Sequence, residues 1–236
     1  MIERTKIVAY EKDRDITKLL TAWVDAVLRY QGLFPRDNCW WYNERATLSS
    51  LAGAAWSLPN WVALEEFSTQ KRGKIPDGEM DEGELRPGRC DLFISNRNRS
   101  YAIEAKQAWQ RIGQSGSGTK AMHHAQRAAW YDCWHLKDEA DRRFAATFVV
   151  PTITLNEAKG ELGRGQICAK TVSERVAAWL VKCNGFSSRH NRRTSYAWVF
   201  PKLGKDYSND CHHFPGVVLI LEEMLSHTKK PSAPKR

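Results

Sequence analysis

The chain has 236 residues, 42% of them hydrophobic and ten of them Trp, with a formal net charge of +9 and a pI near 9.3. That apolar content excludes a disordered polar tail protein and is enough to fill one domain core. The surplus of Lys and Arg favours polyanionic partners through counterion release, and does not by itself name one.

The first residues are charged and lack an apolar leader, and the longest purely aliphatic run, 217–221, is too short to cross a bilayer. A soluble, cytoplasmic protein with no membrane partner is expected. Cysteines stand at 39, 90, 133, 168, 183 and 211 without a C-x-x-C pair. Neither a zinc finger nor a disulfide framework is read from them, and the thiols are expected to be reduced and mostly buried. Cys211-His212-His213 reads as a loop entering the next strand, because adjacent residues point in different directions.

In chain order, Ile16, Leu19, Leu20, Trp23, Val24, Val27 and Leu28 recur at helical spacing after Asp15. This predicts an amphipathic helix capped by Asp15 and ending near Gly32. A second helix is predicted from Asn43, with Leu48, Leu51, Ala52 and Ala55 on its inner stripe and Glu44 one turn before Leu48. A carboxylate on that stripe needs a cation, a metal or a hydrogen-bond network. Alternatively Glu44 is a first-turn acid favoured by the helix dipole, with its head in water.

Residues 61–67 read as a strand, and the acidic stretch around Pro76-Asp77-Gly78 as a solvated loop. The β-prone runs 88–94 and 101–106 follow, joined by Asn96-Arg97-Asn98-Arg99, a polar segment of the kind that closes a hairpin. With Ser95 facing Ser100, the register pairs Ile94 with Tyr101, Phe93 with Ala102, Leu92 with Ile103 and Asp91 with Glu104. The last two Cβ atoms would then lie roughly 4.5–5.5 Å apart. Opposed carboxylates destabilise a sheet unless a cation lies between them, and their oxygens suit hard Mg²⁺ or Mn²⁺. Lys106 projects from the same face as Glu104, where an ammonium can orient a water or offset charge developing on a phosphate. The same register sets Arg89 opposite Lys106, two cations that fit around a phosphate.

Residues 113–118 are rich in Gly and Ser and read as a mobile loop beside a groove or as a linker. Gly118-Thr119-Lys120 lacks the order of a phosphate-binding P-loop, and Lys120 is kept as a nucleic-acid contact. A helix is predicted over 119–137, with Met122, Ala125, Ala129, Cys133 and Leu136 on one stripe and His123, Gln126 and Trp130 on the next. The two histidines, His123 and His124, read as groove-lining or surface residues. A strand over 144–153 follows, then a helix with Thr171 and Glu174 spaced as a capping box, and strands over 196–200 and 217–221. Between that helix and the next strand lie Arg189, Arg192 and Arg193, a basic loop able to hold phosphates but not to read bases. The basic, proline-containing tail 229–236 is expected to be disordered.

Asp91, a gap of twelve residues, then Glu104-x-Lys106 resembles the active-site signature of the PD-(D/E)XK nuclease superfamily, the restriction-endonuclease-like fold. Cys90 stands where that signature often has proline. The helix, strand, strand, strand, helix, strand order over 43–153 is that of the family's core. The resemblance implies a mixed α/β fold with a central four-stranded sheet flanked by helices, the first helix preceding it and 154–228 forming a C-terminal elaboration of one domain over 1–228. It implies a Mg²⁺- or Mn²⁺-dependent deoxyribonuclease in which Asp91 and Glu104 hold the metal, Glu44 completes its shell and Lys106 serves the attacking water. Gln126, followed four residues later by Trp130, resembles a glutamine that supports the site in exonuclease-like branches. DNA is the implied partner, with a homodimer or partner protein possible. The rival class is a catalytically silent nuclease-like module that binds nucleic acid or protein in a defence, repair or mobile-element complex; a third is a different metal-dependent α/β hydrolase whose Glu-x-Lys is accidental, which a pairing other than Asp91 with Glu104 would favour.

Overall fold

The computed structural model describes residues 2–72, 85–113, 118–136, 140–160, 166–189, 192–204, 207–225 and 231–233. The Pro76-Asp77 loop, the middle of the Gly/Ser segment and most of the basic tail lie outside them.

Strand β1 (Thr5–Val8) comes first, then a 3-10 turn and helix α1 (Arg14–Leu33). Asp13, not Asp15, caps α1, its Oδ1 accepting the N–H groups of Asp15 and Ile16 at 3.0 and 3.1 Å. Asp15 is instead drawn inward as the acceptor of the Tyr101 hydroxyl at 2.9 Å. Helix α2 (Glu44–Trp56) starts where expected, with Asn43 Oδ1 accepting the Ala46 N–H. The hairpin region follows as β2 (Trp61–Arg72), β3 (Leu85–Asn96) and β4 (Ser100–Arg111), then helix α3 (Lys120–His135) and β5 (Arg142–Thr154). The remainder is a short α4 (Leu155–Lys159), α5 (Ala169–Cys183), β6 (Arg193–Val199), a two-residue β7 (His212–His213) and β8 (Val217–Met224). Because α5 begins at Ala169, Thr171 and Glu174 lie inside it rather than at its cap; Thr154 caps α4 instead.

The fold is mixed α/β. One large mixed sheet runs β1-β6-β8-β5-β4-β3-β2, with β7 paired to β5. Neighbours β2–β3 and β3–β4 are antiparallel, and β4–β5 is parallel. The sheet is therefore not a four-stranded core with a separate elaboration. The run Val217–Leu221 is buried on both faces and so enters the sheet interior between β5 and β6. Helices α1 and α2 cover one face through Leu19, Leu20, Trp23 and Leu51, packed against Ile103, Phe148 and Leu219. On the other face α3 and α5 bring Met122, Val176 and Trp179 against Val149, Val218 and Ile220.

All six cysteines are free thiols, four of them buried. No helix among the described residues is long and apolar enough to cross a membrane.

Candidate active site at the strand fork

The predicted turn forms: Asn96 N–H donates to the Arg99 carbonyl, and the Asn96 side chain accepts the N–H groups of Asn98 and Arg99, each at 2.9 Å. The register that follows pairs Ser95 with Ser100, Ile94 with Tyr101, Phe93 with Ala102 and Leu92 with Ile103. There the ladder stops, so Asp91 and Glu104 are not a paired rung.

Beyond that point the strands part. β3 stays with β2 as far as Leu85, while β4 runs on beside β5 to Arg111. The departure coincides with a break in the β2–β3 ladder, where Glu66 takes a left-handed backbone (φ +52°) next to Asp91. Parting leaves one edge of β4 with N–H groups that no strand accepts, and such groups must find another acceptor. Carboxylates supply it. Asp91 Oδ2 accepts the Ala105 N–H at 2.8 Å, and Glu44 Oε2, from the first residue of α2, accepts the Gln107 N–H at 3.1 Å.

Glu104 lies on the α3 side of β4 and is only 2% exposed. Its Oε1 is held by a cation, the Lys71 ammonium of β2, at 2.7 Å. The stem of Lys71 passes over Gly88, where a Cβ would lie 2.8 Å from Lys71 Cγ, so glycine opens the route to Glu104. Burial, then the charge of Asp91, push the Glu104 carboxyl up to about 7 despite Lys71. Lys106 donates to Asp132 Oδ2 of α3 at 2.8 Å and to the Ala105 carbonyl at 3.0 Å. Burial pulls its pKa down, but Asp132, Glu44 and Asp91 more than offset this and hold it above the ordinary lysine value. Glu44 is raised by burial and by Asp91 and Asp132, against the pull of Lys106 and the Gln107 N–H. Asp91, Glu104, Lys106 and Glu44 thus form one electrostatically coupled group. Lys71 and Asp132 belong to it as well, and only faint signs mark either in the sequence: a lysine just past the predicted strand 61–67, and an acid beside the packing stripe of α3.

Among the described residues, no three His, Cys, Asp or Glu side chains are placed together as a ready metal cage. The donor chemistry nevertheless fits a hard divalent cation, since the group offers carboxylate oxygens and the buried Glu104 Oε1 already has a cation at contact.

The other sequence candidates lie elsewhere. Arg89 does not oppose Lys106; it pairs with Ser68 in the ladder and its guanidinium reaches Glu66 at 3.5 Å, because β3 follows β2 rather than β4 at that point. Gln126 is fully buried, donating to the Phe186 carbonyl at 2.7 Å and meeting His123 Nδ1 at 2.9 Å, so it ties α3 to the 3-10 turn that follows α5 instead of bonding to the carboxylates. Arg192 is an internal residue. It pairs with Glu222 at 3.0 Å and stacks 3.6 Å above the Trp130 ring, with its side chain 6% exposed. Arg193 lies 3.6 Å from Glu223 and above Tyr10. Lys120 and Arg189 are exposed, Lys120 as the first residue of α3.

The class these observations define is a mixed α/β protein with a carboxylate and lysine group at a fork in its sheet. No protein-family model, no curated protein and no solved structure matches the chain.

Proposed function

We propose that the protein is a metal-dependent nuclease that hydrolyses phosphodiester bonds of DNA. The carrying observation is the meeting, at the parting of β3 and β4, of Asp91, a buried Glu104 and a cationic Lys106. The element order α2-β2-β3-β4-α3-β5, paired antiparallel, antiparallel and parallel, supports the resemblance to PD-(D/E)XK nucleases.

Asp91 and Glu104 would hold Mg²⁺ or Mn²⁺, with Glu44 adjacent. When bound, such an ion supplies Lewis-acid stabilisation of the attacking and departing oxygens. The chain's own groups do the rest. The Ala105 N–H fixes the Asp91 carboxylate, so its orientation is set before any ligand arrives. Lys106, kept protonated by Asp132, acts as a fixed positive charge and hydrogen-bond donor to a phosphate oxygen or to the attacking water, not as a base. The Glu104 carboxyl, pushed up to about 7 by burial and Asp91, links cation binding to loss of its proton.

The Lys71–Glu104 pair favours a second reading, a catalytically silent module that binds nucleic acid, because that ammonium already neutralises the deepest carboxylate. The test incubates the protein with plasmid and single-stranded DNA in Mg²⁺ or Mn²⁺, beside Asp91→Ala and Lys106→Ala. Metal-dependent cleavage lost in both variants is the expected result; no cleavage of any substrate, or equal cleavage by all three proteins, overturns it. Salt-sensitive DNA affinity without turnover selects the second reading.

A further inference from the structure

Beside the carboxylate group runs a chain of aromatic rings that the hydrolytic chemistry does not use. Tyr42 contacts Trp41 edge-on (centroids 5.8 Å), Trp41 contacts Phe214 (5.9 Å) and Phe214 contacts Trp109 (5.3 Å). The inner two are supports: Phe214 is buried and Trp41 half-buried. The outer two face solvent, Tyr42 50% and Trp109 41% exposed. The Tyr42 hydroxyl donates to Asp37 Oδ2 at 2.8 Å, which fixes the ring while leaving it open.

The strip meets the group at Glu44, on the α2 face of β4, opposite the face that carries Glu104 and Lys106. Gln107 joins them: its backbone N–H goes to Glu44 and its side-chain amide to the Trp40 carbonyl at 3.0 Å. Trp41 and Tyr42 therefore lie on the chain between two anchors to the same β4 residue. Trp109 is the next residue on that face of β4, and the exposed Arg111 the one after. Rigid, exposed aromatic faces beside a cation in a protein of charge +9 have the chemistry that binds unpaired nucleotides, by stacking and backbone attraction. A duplex hides its base faces and gains nothing from such rings.

We infer that Tyr42 and Trp109 form a stacking platform for an unpaired stretch of nucleic acid, which leads the strand to the carboxylate group. The inference rests on the nuclease reading for what happens to that strand, but not for its binding.

The experiment measures binding of the full-length protein in EDTA to fluorescent single strands of deoxythymidine and of uridine, and to a duplex of matched length. Single strands should bind more tightly than the duplex, and Tyr42→Ala or Trp109→Ala should each weaken single-strand binding by roughly five- to 150-fold. Trp109→Phe, which keeps a ring, should retain most of the affinity, as should Trp56→Ala, which removes an exposed ring outside the strip. Tight binding of only one sugar type would assign the platform to that nucleic acid. Preference for the duplex, or alanine variants that bind like wild type, overturns the inference. So does self-association that Trp109→Ala abolishes without a change in nucleic-acid affinity, since the occupant would then be a second copy of the chain. Binding that behaves as expected without any metal-dependent cleavage would sink the nuclease reading and leave the platform standing.

Discussion

Lys71 Nζ sits 2.7 Å from Glu104 Oε1, a contact across strands that never pair with each other. Both side chains are largely withdrawn from water, so each is the other's main compensation. Removing the lysine as Lys71→Met should destabilise the metal-free protein by about 3 kcal/mol, because a buried carboxylate is left without its cation. A divalent ion can take the vacated place, so Mg²⁺ should raise the melting temperature of Lys71→Met more than that of wild type. Thermal melts with EDTA and with Mg²⁺ decide this; equal Mg²⁺ shifts in the two proteins refute it.

The same carboxyl predicts a pH dependence. Its folded value, about 7, lies above the ordinary glutamate value of about 4.3. Between those values the folded protein keeps a proton that the unfolded chain has released, so stability falls as pH rises through that window and levels off above it. The full loss attributable to Glu104 is of order 3 kcal/mol. Urea unfolding from pH 4.5 to 8 in EDTA should show that slope in wild type and a flatter curve in Glu104→Gln. Parallel curves would remove the assignment.

Asp132 holds Lys106 and raises its pKa. Asp132→Asn should lower metal-dependent cleavage by about tenfold to a hundredfold, the usual cost of loosening a group that orients a reacting one. The alkaline limb of the pH–rate profile should move to lower pH, because Lys106 loses the charge that keeps it protonated. Asp132→Glu should restore part of both. An unmoved pH profile would show that Asp132 only braces the fold.

Arg192 should behave as a core residue, not as a DNA contact. Arg192→Ala leaves Glu222, 1% exposed, without its counter-charge and uncovers Trp130. A loss of about 3–5 kcal/mol follows, or roughly 6–20 °C in Tm, while any DNA affinity that survives folding should change little. A stable variant with weak DNA binding would reverse this view.

The hairpin was legible because its information is local. Asn96 makes its own turn, Ser95 and Ser100 flank it, and the alternation of Ile94, Leu92, Tyr101 and Ile103 fixes the register. The halt after Leu92–Ile103 was not legible, since it depends on Glu66 in β2 and on the parallel pull of β5 along β4. Partners of buried charges were equally hidden. Nothing near Lys106 in sequence points to Asp132, and the loop arginines look solvated until Glu222, at the end of an apolar strand, is brought beneath Arg192. β1 is not legible in the sequence because its four half-buried residues carry no alternation and gain their order only from pairing with β6.

The four-rung limit of the β3–β4 ladder also bounds how good a hairpin this sequence can become. One more rung would take the Ala105 N–H away from Asp91 and set two carboxylates squarely against each other. Drift toward better strand formers at 89–91 would therefore zip the strands shut and erase the acid group while leaving every ionisable residue of β4 unchanged. Improvement of the sheet and retention of the acids are opposed at this point, and the protein keeps the less perfect sheet.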